Sequence, residues 1–326
     1  MLFTGKMKHL NYISAFFRLV RWPNLIMMGI VQAAIYYVIV AKTYKIIGIP
    51  SALNSFYLFV IIAITLLIAG AGYIINDYFD LRTDRINKPD KMILGKVFKR
   101  KSAFTMQIVM NIIAVLAGFF ISFIAGSWRL GLIFPMLIML LWLYSVKYKR
   151  MGIWGNLSIS FLSAMVIIIV WLFEFFMLRK HPANFIAVVP YLSIITKFFT
   201  MFALFAFLLT FIREIIKDAE DIKGDALTGI NTFAVERGVD AAVKLAMIIT
   251  GITALLIILV SCNLMMKGMF IAGIYYAVTV FLPMVWLILK LYRTTEISDF
   301  HQLSNFVKII MIAGIIGLQP IAMSIH

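Results

Sequence analysis

Apolar residues in this chain run in long blocks, and short charged stretches separate the blocks. Runs such as 56–71, 130–143 and 241–260 approach or reach the roughly 20 residues that a helix needs to cross about 30 Å of hydrocarbon. Inside lipid the backbone must satisfy its own hydrogen bonds, so such runs are read as helices. The breaks between them predict nine spans, at 24–41, 54–76, 103–126, 130–146, 154–177, 187–213, 241–262, 268–290 and 305–324. The expected fold is therefore all-α, a polytopic membrane protein built as a bundle of nine transmembrane helices. The spans occupy most of the 326 residues. No room is left for a separate soluble domain, and 1–326 is read as a single unit.

Composition agrees with the pattern: 63% of the residues are hydrophobic, against roughly 45–50% in an average soluble domain. The net charge of +16 would suit nucleic acid, but the basic residues sit between spans, where a bilayer surface meets them. The N-terminus and the loops after spans two, four, six and eight hold 23 Lys and Arg, the alternate loops hold 6, and Lys197 lies inside a span. The positive-inside rule then puts the N-terminus in the cytoplasm and the C-terminus on the opposite side, as an odd number of spans requires. No nucleic-acid partner is expected. The single cysteine, Cys262, excludes a disulfide framework or thiolate metal cluster within one chain. The opening residues 1–11 carry Lys6 and Lys8 without an apolar core, so no cleavable signal peptide is expected.

The acids change the picture. Of 14 Asp and Glu, four fall between Asp77 and Asp90 and seven between Glu214 and Asp240. Both segments follow a long apolar helix on the inferred cytoplasmic side, and each is expected to run into a loop, 85–101 and 224–239, with further cytoplasmic loops at 147–152 and 293–305. The spacing repeats: Asp77, Asp80 and Asp84 are three and four residues apart, and so are Asp218, Asp221 and Asp225. On a helix such positions share a face. One triplet beyond a span would read as a boundary anchor; two with the same spacing, one preceded by Asn76, read as a site.

Three carboxylates on one face repel one another where little water softens the repulsion, so a cation is expected there. Asp and Asn are hard oxygen donors suited to Mg²⁺ or Ca²⁺, and Mg²⁺ commonly binds through a few carboxylates plus substrate phosphate oxygens. The two segments are read as a Mg²⁺-diphosphate clamp. Arg82, Arg85, Lys88, Lys91, Lys147, Lys149, Arg150, Arg213, Lys217 and Lys223 surround the acids, and a diphosphate needs positive charge on the oxygens that metals do not reach. Such a site would favour ionisation of an allylic C–O bond. The apolar interior could hold an isoprenoid tail.

The stretch Asn76-Asp77-Tyr78-Phe79-Asp80-Leu81-Arg82-Thr83-Asp84 resembles the first signature, NDxxDxxxD, of the UbiA superfamily of intramembrane prenyltransferases, and the stretch from Arg213 to Asp225 resembles its second. Span count, length and motif placement agree over essentially the whole chain. The resemblance implies a central prenyl and diphosphate cavity near the cytoplasmic face, and transfer of a prenyl group from an allylic diphosphate to a lipophilic acceptor. It makes Asn76, Asp80, Asp84, Asp221 and Asp225 the metal or metal-diphosphate residues, with Asp77 and Asp218 next. Tyr144 and Lys149 look like the family's diphosphate-side pair, and Arg21 and Asn24 match a further pattern more loosely. The wording DRINKP and REIIKDxEDIxGD is most similar to the branch that attaches geranylgeranyl to the free hydroxyl of geranylgeranylglyceryl phosphate, the digeranylgeranylglyceryl phosphate synthases. The sequence departs from that branch at Asp90-Lys91-Met92, which leaves an aromatic acceptor, a hydroxybenzoate or quinone precursor, open beside the glycerol phosphate ether lipid.

Other polar residues are read more plainly. The histidines are scattered without a pairing pattern, and Glu174 and Lys197 are expected to snorkel toward an interface. A transporter or lipid carrier would place its acids near the bilayer midplane on broken helices, whereas these lie at span ends on one side.

Overall fold

The computed structural model describes residues 12–87, 90, 92–294 and 297–324. Among these, nine helices are long and apolar enough to cross a membrane: Trp22–Ile47, Ser55–Phe79, Arg100–Ile124, Trp128–Arg150, Trp154–Leu178, Pro182–Leu227, Val239–Met266, Phe270–Arg293 and Asp299–Ser324, spans one to nine. The expected spans are present with ends moved by a few residues, except in span six. Spans two and five bury 56% and 50% of their apolar windows, against 28–33% elsewhere. They form the centre of the bundle. Span five packs along span six, span two along span three, and span six also along seven and nine.

Close approach within the bundle depends on small residues, as expected where lipid tails compete with every apolar contact. A Cβ at Gly72 of span two would stand 3.0 Å from Leu141 of span four, and one at Gly118 of span three would enter the Phe134 ring. An apolar crevice of about 470 Å³ opens between spans two, three and four. Ile75 and Trp142 line it, each two residues from an expected site residue, Asp77 and Tyr144.

Three expectations are corrected at the end of the bundle that carries the acidic segments. Span six is one helix of 46 residues, about 69 Å at 1.5 Å per residue, more than twice the hydrocarbon thickness. It therefore carries Asp218, Asp221 and Asp225 and continues to Leu227, so the expected loop from Gly224 begins later and itself holds the short helix Phe233–Arg237. Gly224 and Asp225 are buried against the rest of the bundle, and that packing outweighs the roughly 1 kcal/mol a helical Gly costs. The first triplet, by contrast, does not lie on one helix. Span two ends at Phe79, Asp80 caps it with φ −85° and ψ 2°, and a separate helix Leu81–Asn87 carries Asp84. A helix starting at Ile297 replaces most of the expected loop 293–305.

Glu174 does not snorkel. It is fully buried, and its carboxylate accepts the backbone N–H groups of Leu53 at 2.8 Å and Ala52 at 3.2 Å and the Tyr36 hydroxyl at 3.4 Å. The turn between spans one and two is thus fastened to the C-terminal end of span five. A buried carboxylate with this many donors is satisfied in place, which removes the drive toward the interface. Lys197 is exposed on the outer surface of span six.

Candidate active site

Asp80 is the hub of the first acidic segment. Its carboxylate accepts Asn76 Nδ2 at 2.8 Å and forms an ion pair with Lys149 Nζ. The break at Asp80 follows from this: with its side chain held by Asn76 and Lys149 and its N–H still bonded to the Asn76 carbonyl at 2.9 Å, the residue closes span two and turns the chain. Lys149 arrives on a single helical turn, Tyr148–Arg150, that closes span four. That turn lies so close to span five that a Cβ at Gly155 would stand 3.0 Å from Lys149 Cα and 3.1 Å from the Tyr148 carbonyl oxygen. Just beyond it, Gly152 N–H donates to the Asn231 carbonyl at 2.7 Å, tying this turn to the loop after span six.

The two acidic segments meet around Lys149. Asp225 is buried and stands within electrostatic range of Lys149, Asp221, Lys217 and Asp80. Thr83 and Thr228 share a hydrogen bond of 3.0 Å, which joins the helix that carries Asp84 to the end of span six. Asp218 accepts Asn156 Nδ2 at 2.8 Å. Tyr144 is within range of Lys149, Glu214, Asp80 and Asp218. The structure therefore brings Asn76, Asp80, Tyr144, Lys149, Asp218 and Asp225 to one place, with Asp221 beside Asp225.

Arg21 and Asn24 extend the site along span one. Arg21 pairs with Asp77 at 2.7 Å and lies 4.8 Å over the Tyr73 ring, while Asn24 donates to the Tyr73 hydroxyl at 3.2 Å. Arg21 sits in the left-handed region, φ 53°, as no other described non-glycine residue does. A residue in that region costs of order 1–3 kcal/mol and marks a place the surroundings over-determine. Desolvation works against the guanidinium charge, but Asp77, Tyr73 and Asp84 outweigh it and hold the proton above its ordinary range. Arg85 lies on the exposed side of its helix. Lys88 and Lys91 lie outside the described residues. Arg213 pairs with Glu214 at 2.5 Å, and Lys217 is half-buried one residue before Asp218.

Sequence reasoning missed Asn156, Thr83 and Thr228. Asn156 had a visible signal, an amide in the first turn of an apolar span; the threonines had none.

No group of three or more His, Cys, Asp or Glu converges on one point among the described residues. The six aspartates do not form one cage; they lie in two sets, and Lys149 pairs with Asp80 of the first while within electrostatic range of Asp225 of the second. The donor set is nonetheless all hard oxygen, and the Lys149–Asp80 ion pair shows that these carboxylates draw positive charge. Such a set fits Mg²⁺ shared with phosphate oxygens better than an all-protein metal site.

A bundle of apolar helices with paired aspartate sets at one end defines an intramembrane enzyme that handles a hydrophobic diphosphate. The profile of the UbiA prenyltransferase family matches residues 31–309. The chain belongs to that family and is a prenyltransferase. It is 32% identical over 251 residues to the digeranylgeranylglyceryl phosphate synthase of Hyperthermus butylicus, covering 76% of each chain. Its fold resembles that of a solved structure described as giving insight into digeranylgeranylglyceryl phosphate synthase in membranes, with TM-score 0.59 and 21% identity over 94% of this chain and 98% of the other. It also resembles a UbiA homolog from Archaeoglobus fulgidus bound to DMAPP and Mg²⁺, with TM-score 0.54 and 13% identity over 92% of this chain and 99% of the other.

Proposed function

We propose that this prenyltransferase moves a geranylgeranyl group from its diphosphate to the free hydroxyl of geranylgeranylglyceryl phosphate, and that 1–326 works as one unit in doing so. The observation that carries the donor half is the meeting of Asp80 and Asp225 around Lys149. Asn76, Asp80, Asp84, Asp218, Asp221 and Asp225 would hold Mg²⁺, which when bound supplies positive charge to the diphosphate oxygens. Asn156 orients Asp218, Asn76 orients Asp80, and Lys149 and Tyr144 donate to diphosphate oxygens beyond the metal's reach. Arg21, held by Asp77, adds a fixed cation beside Tyr73 and Asn24.

Together these groups stabilise charge that grows on the leaving diphosphate as the allylic C–O bond breaks. The bond's electron pair departs with the diphosphate, the acceptor oxygen forms the new ether bond to the same carbon, and the hydroxyl proton is released. The charge asymmetry of the loops supports a site at the cytoplasmic face, with the N-terminus inside and the C-terminus outside.

The acceptor half is supported by relatives that bear the synthase name, such as that of Hyperthermus butylicus. It is tested by offering detergent-solubilised protein geranylgeranyl diphosphate with geranylgeranylglyceryl phosphate, 4-hydroxybenzoate or a naphthoate. Prenylation of the glycerol phosphate lipid alone is expected. Exclusive use of an aromatic acceptor would replace this half of the reading and leave the donor half intact.

A further inference from the structure

A second group of cations lies beside the Lys149 centre, with Lys217 in range of Asp225 and Asp218. Spans six and nine pack together, and Lys308 of span nine is within electrostatic range of Arg213 and Lys217 of span six and of Glu214 and Glu220. The nearby acids are already engaged: Glu214 with Arg213 Nη1 at 2.5 Å and Glu220 with His301 at 2.8 Å. Arg213 Nε is buried with no hydrogen-bond partner among the described residues. Lys308 Nζ donates to a neutral acceptor, Asn305 Oδ1, at 3.3 Å. Neither Lys217 nor Lys308 forms an ion pair with a described carboxylate.

With Glu214 held by Arg213 and Glu220 by His301, the two ammonium groups and the unpartnered Arg213 Nε call for an anion. Their depth says which kind. The apolar run of span six ends at Arg213, and Lys308 lies just inside the apolar run of span nine, so the group is level with the boundary between hydrocarbon and headgroups. Arg213 is 12 residues from Asp225 along one helix, about 18 Å nearer the membrane interior. It is nevertheless on the same chamber, because Glu214 feels Lys149 and Arg21 as well as Arg213 and Lys217. A guanidinium with two ammonium groups suits a phosphate dianion. The sequence assigned Arg213 and Lys217 to the leaving diphosphate, and Lys308 to nothing.

We propose that Arg213, Lys217 and Lys308 form a second anion site that binds the phosphate of the lipid acceptor, with Lys308 setting the preference for a phosphorylated acceptor. The site rests on the acceptor reading above. In that acceptor the phosphate ester is one carbon from the nucleophilic hydroxyl, so holding the phosphate at the chamber wall fixes where the hydroxyl can reach.

The test compares the full-length protein with Lys308→Gln and Lys308→Arg in steady-state transfer from geranylgeranyl diphosphate to geranylgeranylglyceryl phosphate and to the corresponding unphosphorylated alcohol, with inorganic phosphate as a competitor. Loss of one charge-assisted contact should raise the KM of the phosphorylated acceptor about tenfold or more. The KM of the donor and transfer to the alcohol should not change, Lys308→Arg should recover most of the loss, and inorganic phosphate should compete with the acceptor rather than the donor. An unchanged acceptor KM, showing a group that merely meets bulk lipid headgroups, or an equal rise in the donor KM, would overturn the assignment. Wild-type protein that prenylates neither glycerol lipid would instead sink the acceptor reading, and this site with it.

Discussion

Lys149 and Asp80, 69 residues apart in the chain, form an ion pair at the point where the two acidic segments meet. Lys149 is more than a neighbour of one aspartate, since Asp225 from the second segment is also within its range. The ammonium holds together two sets of carboxylates that would otherwise repel.

Replacing Lys149 with Met should therefore act on both the fold and the chemistry. Removing one partner of a buried pair costs about 3–5 kcal/mol, and the diphosphate would lose a donor that matters most as its charge develops. Lower thermal stability in detergent and a fall in kcat of about a hundredfold are expected. Lys149→Arg should recover stability more fully than rate, because a planar fork does not replace a point charge. Equal recovery of both would argue that Lys149 only fastens the segments.

Asn156 is a positioning residue, and its variant separates orientation from folding. Asn156→Leu removes the 2.8 Å contact to Asp218 while keeping side-chain bulk. Loss of such an outer partner commonly lowers metal affinity about 10–100-fold. The Mg²⁺ concentration for half-maximal transfer should rise by that order, with the rate at saturating Mg²⁺ largely retained. A fall in rate that extra Mg²⁺ does not repair would contradict the role.

Glu174 tests the opposite end of the bundle. Glu174→Ala leaves the Leu53 and Ala52 N–H groups without their acceptor, at about 1–3 kcal/mol for each unsatisfied buried group. The melting temperature in detergent should fall by several degrees, and turnover per folded molecule should hold, because the acidic sets lie at the other end of span five. Loss of turnover without loss of stability would show that Glu174 serves the reaction.

These residues also mark what a linear reading can reach. Nine spans were legible because each is a continuous apolar run bounded by charge, a property local to the chain. The aspartates were legible because two triplets repeat one spacing. The partners that orient them were not: Asn156 meets Asp218 across 62 residues and Thr83 meets Thr228 across 145, and which helices pack together decides such pairs. The same holds for Glu174, whose backbone donors come from a turn about 121 residues away. Local propensity even misled at Gly224, where tertiary contact carries the helix through a residue that usually ends one.

The most direct measurement is Mg²⁺-dependent prenyl transfer by Asp221→Asn protein whose folding is verified by melting temperature. Asn keeps the size of the side chain and removes the charge that the proposed metal-diphosphate site requires. Transfer should fall by about a hundredfold or more at wild-type Mg²⁺ concentrations, in line with the loss of a group that stabilises the leaving charge. A folded Asp221→Asn protein with the wild-type rate and the wild-type Mg²⁺ response would contradict the central claim that the two aspartate segments act together on the diphosphate.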